Sequence, residues 1–396
     1  MSTNWTRRNV LGAAGAGVAL AALGLPTRGS ASAPAVPSYL SDFADIYAES
    51  PHEAALAWFK SAEFGMFIHY GLYSMLGGEW QGKQVNHRTN PDKPVAEWIQ
   101  YHGLIPLKEY ARLKEDFTAE NFDADFITDL ALEADMKYIN ITTRHHDSFC
   151  LFETAETDFN SINSPAKRDL VGELAEQCQQ KGLGLYLYYS LGRDWKHPHA
   201  PTQEWAVNGR PHYEVPPEEY AETRGVHDIS EYVDFMARQV RELLTNYGPI
   251  TGIWLDGEGV LKSRGRETDG LESVIRKTKL SELYAMIREI QPNCLVSYKQ
   301  GVEGSEDFLT PERTSFGLDK LGKPLEVNTT LQAHSWGYNK FTKHRKTPDE
   351  IMELLDYCKQ LPANCCLNTG PMGDGSIVAE EAATFREIGR RRRAGA

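Results

Sequence analysis

The stretch SEYVDFMARQVRELLTNY at residues 230–247 passes through Gly248-Pro249 into Ile250-Thr251-Gly252-Ile253-Trp254-Leu255-Asp256-Gly257. The first part has apolar residues at helical spacing. The second is a short, almost continuous apolar run, the pattern of a strand buried on both faces. It drives directly into the carboxylate of Asp256. A charge at the end of a buried strand costs desolvation unless it is paired or used. Gly257 behind it lets a ligand approach the backbone closely.

The same rhythm extends in both directions. Apolar runs at 65–69, 138–143, 183–189, 294–298 and 365–368 read as further buried strands. Between them lie helical segments at 126–134, 170–180, 279–290 and 348–361. Gly182 is a natural stop for the second of these. Thr347-Pro348-Asp349-Glu350 combines a capping box with proline at the first helical position. Strand–helix alternation implies a parallel sheet. This number of units predicts an α/β fold of the (β/α)8 TIM-barrel type, one catalytic domain over 52–396. A doubly wound open sheet is the alternative, but no G-x-G-x-x-G follows the first strand. The arginine run 390–393 reads as a solvated, frayed terminus.

Upstream, Thr6-Arg7-Arg8-Asn9-Val10-Leu11 precedes a weakly apolar run over 12–25, and Ala31-Ser32-Ala33 supplies small residues for cleavage. Residues 1–33 therefore read as a twin-arginine export signal, which predicts a periplasmic or extracellular protein. The apolar run is too short to span a bilayer comfortably. Residues 34–51, rich in Pro and Ser, read as an extended linker.

The chain carries 42 Lys and Arg against 55 Asp and Glu, a formal charge of −13. That balance argues against nucleic acid, whose phosphates attract basic surfaces. No further segment is apolar enough to enter a membrane. The six cysteines show no zinc-type spacing, and several sit in apolar runs as core thiols.

In a barrel, active sites gather where strands end. Those ends carry His69, Arg144-His145-His146-Asp147, Tyr188-Tyr189-Ser190, Asp256, Lys299 and Asn368. A carboxylate in such a cleft suits glycoside hydrolysis, which needs a second carboxyl to protonate the leaving oxygen. Glu258, Glu303, Glu306, Glu312 and Glu326 all lie downstream, and the residues alone do not choose among them. No metal spacing accompanies His145-His146, and no cofactor loop is present.

Several ordered motifs resemble the α-L-fucosidases of glycoside hydrolase family 29. They are Phe64-Gly65-Met66-Phe67-Ile68-His69-Tyr70-Gly71, Glu79-Trp80, Thr143-Arg144-His145-His146-Asp147-Ser148-Phe149 and Trp254-Leu255-Asp256-Gly257. Ser335-Trp336-Gly337-Tyr338-Asn339 and Leu367-Asn368-Thr369-Gly370-Pro371 complete the set. The resemblance covers nearly the whole mature chain. It implies a retaining exo-glycosidase that removes terminal α-L-fucose from glycans, with Asp256 as nucleophile. Glu312 matches the acid/base of one branch and Glu326 that of another; Glu312 is taken here. His69, Glu79, Trp80, His145, His146, Tyr189 and Trp336 match sugar-pocket positions. The resemblance implies a fucosylated glycan as partner and no cofactor or metal. The family often has an arginine where this chain has Lys299, which keeps the charge but loses the planar fork. Many relatives add a C-terminal β-sandwich, which is not expected here. The alternatives are a glycosidase on a fucose-like galactoside and a non-catalytic fucose-binding relative.

Overall fold

The computed structural model describes residues 35–202, 208–259, 270–312, 317 and 321–395. The expected export signal over 1–33 lies outside them. No helix among the described residues is long and apolar enough to cross a membrane.

Seven parallel strands form one curled sheet. They are β1 (Phe64–Ile68), β2 (Tyr138–Arg144), β3 (Gly184–Ser190), β4 (Gly252–Asp256), β5 (Leu295–Tyr298), β6 (Leu325–Thr330) and β7 (Ala363–Thr369). Their spatial order is β6-β7-β1-β2-β3-β4-β5, so the sheet is open between β6 and β5. Gly65 pairs with Tyr138, Tyr138 with Gly184, and Tyr186 with Gly252, and the β2–β3 register shifts once, between Thr142 and Arg144. Every residue of every strand is buried, as a sheet covered on both faces requires.

The 307–312 segment runs through the gap between β5 and β6. Asp307 N–H donates to Val296 O and Thr310 N–H to Lys299 O, both at 2.8 Å. On the other side, Glu326 N–H reaches Leu309 O at 2.9 Å and Asn328 N–H reaches Pro311 O at 3.0 Å.

Helices cover the outside, and their caps follow from the sequence. In α1 (Pro51–Ala62), Ser50 accepts from Glu53 N–H. α2 (Ala124–Glu133) is capped by Asp123 and α3 (Leu170–Lys181) by Asp169. α4 (Ile229–Thr245) is capped by Asp228 and presses Tyr232, Val233, Met236, Val240, Leu243 and Leu244 inward. α5 (Leu280–Ile290) follows. The capping box of Thr347 and Glu350 opens α6 (Pro348–Gln360).

Three expectations need correction. Residues 35–51 are not an extended linker. They form a 3-10 turn, Ser38–Phe43, and a short helix, Ala44–Glu49, with Tyr39, Leu40 and Tyr47 buried. With Trp58 and Phe59 of α1 they join an aromatic cluster that fills the sheet's concave side. Gly184 allows this, since a Cβ there would stand 2.5 Å from the Trp58 ring. Second, β6 is not among the apolar runs, because four of the six residues of LEVNTT are polar; its polar side chains face a packed interior, not water. Third, the arginines at 390–393 belong to α7 (Ala379–Gly395). Arg392 pairs with Glu63 and Asp135, and Arg391 with Asp349 and Glu387. The six cysteines are free and buried.

Candidate active site

A cavity of about 240 Å³ opens at the C-terminal ends of the strands. Asp256, the last residue of β4, stands at its centre. Burial alone would raise its pKa. Lys299 first, with Arg193 and the Tyr188 hydroxyl, overcomes that and holds the carboxyl well below the usual carboxylate range. Tyr188 O–H donates to Asp256 Oδ2 at 2.6 Å, and Gly257 N–H donates to Oδ1 at 2.6 Å. Lys299 Nζ lies 3.4 Å from Oδ1. Lys299 follows β5 with φ of +48°, in the left-handed region that a side chain seldom adopts. Its ammonium is thereby placed between Asp256 and Glu312, whose Oε1 it meets at 2.5 Å.

The histidines are neutral. Burial holds His69 down at about 3, and burial, against the opposing pull of Asp256, holds His145 and His146 well below the ordinary imidazole value. Asn368 Nδ2 donates to Thr330 Oγ1 and Trp336 O, so its Oδ1 must accept from His69 Nδ1 at 2.6 Å. Ser190 Oγ donates to Arg193 O, so His146 Nδ1–H donates to Ser190 Oγ. In both rings Nε2 is then left as an acceptor. His146 Nε2 is 3.7 Å from Asp256 Oδ2, a pair that a sugar hydroxyl could join.

Ring faces complete the walls. His145 stacks on Tyr188 at 5.5 Å, and Trp336 lies 5.2 Å from His69. Trp336 is held by the buried Glu97 carboxylate, which accepts from the N–H groups of Trp336 and Gly337 at 2.9 and 3.0 Å.

The cavity brings together His69, His145, His146, Asp256, Lys299, Glu312 and Trp336. It does not include three other expected residues. Tyr189 faces away: its hydroxyl donates to Gln239 Oε1 at 2.8 Å and its ring lies under the Arg144 guanidinium. Side chains alternate along a strand, so Tyr188 takes the pocket side. Glu79 and Trp80 form a two-residue strand with Lys83–Gln84. Glu79 pairs with Lys340, and Trp80 packs against the main core. A second Glu-Trp pair, Glu97-Trp98, lines the cavity instead. The Glu-Trp dipeptide recurs in the sequence, at 79–80, 97–98 and 204–205, so the dipeptide alone does not choose the pocket pair. Arg193 and Asn328 were also missed; neither stands in an apolar run or a strand-end motif.

Glu326 lies in the interior beneath the cavity floor. It is 1% exposed, and its Oε1 accepts from Trp254 Nε1–H at 3.0 Å. It therefore does not stand at a leaving group. His145, His146 and Asp256 each offer one possible metal-ligand atom, all within 4.8 Å of one another. The Lys299 ammonium beside Asp256 opposes a cation there.

A family model described as alpha-L-fucosidase matches residues 38–391. The chain belongs to the α-L-fucosidase family. The solved α-L-fucosidase AlfC from Lactobacillus casei, in complex with its α-L-fucose product, superposes with a TM-score of 0.70 at 28% identity, covering 86% of this chain and 99% of that one. Isoenzyme 1 from Paenibacillus thiaminolyticus gives 0.70 at 32% identity, over 87% of this chain and 76% of that chain. The tissue α-L-fucosidase of Bos taurus is 27% identical over 340 residues, 81% of this chain. The chain spans 64% of the length of that curated relative. The open, curled parallel sheet is shared with these fucosidase structures.

Proposed function

We propose that the protein is a retaining exo-hydrolase that releases terminal α-L-fucose from glycans. One observation carries the reading. Lys299 Nζ is 3.4 Å from Asp256 Oδ1 and 2.5 Å from Glu312 Oε1, so the two carboxyl oxygens are at most 5.9 Å apart, the sum of these distances. Retaining pairs sit about 5–5.5 Å apart; inverting pairs leave room for a water at roughly 6.5–9.5 Å. Asp256, held ionised, attacks the anomeric carbon. Glu312 protonates the departing oxygen and then activates the water that resolves the glycosyl-enzyme. Lys299 keeps Asp256 charged, and substrate entering between them would release Glu312 to take up a proton. The Nε2 acceptors of His69 and His146 suit sugar hydroxyls, and Trp336 offers an apolar face to the fucose methyl.

In this reading the 307–312 segment serves as an irregular eighth stave, which makes the sheet a (β/α)8-like barrel and carries Glu312 to its rim. The twin-arginine motif supports export from the cytoplasm.

The test is hydrolysis of 4-nitrophenyl α-L-fucoside with the product anomer followed by proton NMR. The α anomer should appear first. Glu312→Ala should be rescued by azide with formation of a fucosyl azide. Initial release of the β anomer would sink the retaining assignment, and fucose binding without turnover would sink the hydrolase.

A further inference from the structure

Glu312 stands between two cavities. One is the sugar pocket with Asp256. The other, about 690 Å³, shares Glu97, Trp98, Glu312 and Trp336 with it but not Asp256. A proton donor must stand at the glycosidic oxygen, so the leaving group lies beyond it from the nucleophile. On the hydrolase reading above, the second cavity is therefore where the leaving group sits.

The wall of that cavity is cationic. Arg88 and Lys93 line it from the ribbon formed by Asn86–His87 and Asn90–Pro94. Neither has an ion-pair partner among the described residues, and Glu79 on the adjoining ribbon is already paired with Lys340. The two carboxylates on the wall are both engaged: Glu97 chiefly by two backbone N–H groups, with Lys93 a weaker coulombic neighbour, and Glu312 by Lys299. His87 and His102 lie ring to ring at 4.2 Å. His102 Nδ1 accepts from Arg88 N–H at 3.4 Å, and His87 Nδ1 from Thr89 N–H at 3.3 Å. In each neutral ring the proton is thus on Nε2, a donor. Burial, then His87, Arg88 and Lys93, hold His102 at about 4, so the ring stays neutral beside the two cations. Trp98, Tyr101 and Trp336 add ring faces for a pyranose. The wall therefore offers two unpaired cations, imidazole N–H donors and aromatic surface. The whole chain carries −13, so its overall field would repel an anion that these local charges attract.

We infer that this second cavity is a leaving-group subsite for an anionic sugar, one bearing a carboxylate or a sulfate ester, which Arg88 and Lys93 hold.

The test compares kcat/KM for matched pairs of α-L-fucosyl disaccharides at low salt. Fucosyl-glucuronate is set against fucosyl-glucose, and 6-O-sulfated fucosyl-N-acetylglucosamine against its unsulfated form, each across the available linkages. Wild-type protein should favour the anionic member of at least one pair by about tenfold or more. The pair that shows the preference identifies carboxylate or sulfate as the source. The double variant Arg88→Gln/Lys93→Gln should bring that ratio to about one. Lys60→Gln, an exposed lysine of α1 outside both cavities, should leave it unchanged. A wild-type ratio near one in both pairs, or a ratio that survives the double variant, overturns the inference alone. So does turnover of 4-nitrophenyl α-L-fucoside with neither anionic disaccharide cleaved. Absence of turnover on the nitrophenyl substrate overturns the hydrolase reading and the inference with it.

Discussion

Two regions of the curled sheet, the rim at its strand ends and the layer just beneath it, each hold an enclosed carboxyl, and the two differ in charge. Asp256 at the rim has the Lys299 ammonium, the Tyr188 hydroxyl and the Gly257 N–H around it, and remains ionised. Glu326, one layer down, has no cationic partner among the described residues. Burial pushes it up to about 7, and Tyr138, the Trp254 indole N–H and Asn328 offset only part of that. Burial sets the cost of a charge and the neighbours decide whether it is met. The rim is built around a charge, whereas the interior accepts a carboxyl mainly in its neutral form.

The largest expected effect separates these two carboxyls directly. Asp256→Ala should lower kcat on 4-nitrophenyl α-L-fucoside by about 10³-fold or more, as loss of a nucleophile does. Glu326→Gln should stay within about threefold, since the amide oxygen still accepts from Trp254. Similar losses in both would erase the distinction between rim and interior.

Next come the Glu-Trp pairs at 79–80 and 97–98. Trp98→Ala should reduce kcat/KM by roughly 10–100-fold, because it removes a wall shared by both cavities. Trp80→Ala should change it by less than about threefold, with its main effect on thermal stability. A large kinetic loss in Trp80→Ala would restore the first pair to the site. Adjacent tyrosines make a finer test of the same kind. Tyr188→Phe removes a hydrogen bond to Asp256 and should cost about tenfold in kcat. Tyr189→Phe should leave kcat unchanged and lower the melting temperature.

The last comparison is read in stability and not in rate. The folded pKa of Glu326 lies above the value of an unfolded glutamate, so the folded state holds the proton over a window where the unfolded state has lost it. The stabilisation from this group is complete below about pH 4 and declines as pH rises towards 7. The full change is on the order of 3 kcal/mol. Glu326→Gln should abolish it, so the melting-temperature difference between pH 5 and pH 8 should shrink in the variant. An unchanged difference would show that Glu326 carries no such penalty.

Much of this was legible along the chain. Six of the seven strands announced themselves as apolar runs, and their helices as amphipathic segments with recognisable caps. Asp256 was legible because a charge that ends a buried strand has to be explained. β6 was hidden because its polar residues Glu326 and Thr330 meet partners from other strands, Trp254 and Asn368; a local pattern cannot record a distant partner. Residues 35–51 looked like a linker for a similar reason, since Tyr39 finds its apolar contact in Trp58 only after folding.

The sequence by itself determined the alternating architecture, the family and the identity of the central carboxylate, because these rest on periodicity and on ordered motifs. Tertiary structure decided which of two glutamates lines the cavity, that Glu97-Trp98 and not Glu79-Trp80 stands in its wall, and which of two adjacent tyrosines reaches Asp256. Each of those choices depends on where a side chain points after the strands curl around one another. That direction follows from the pairing of residues far apart in the chain, such as Lys299 with Asp256 and Trp254 with Glu326.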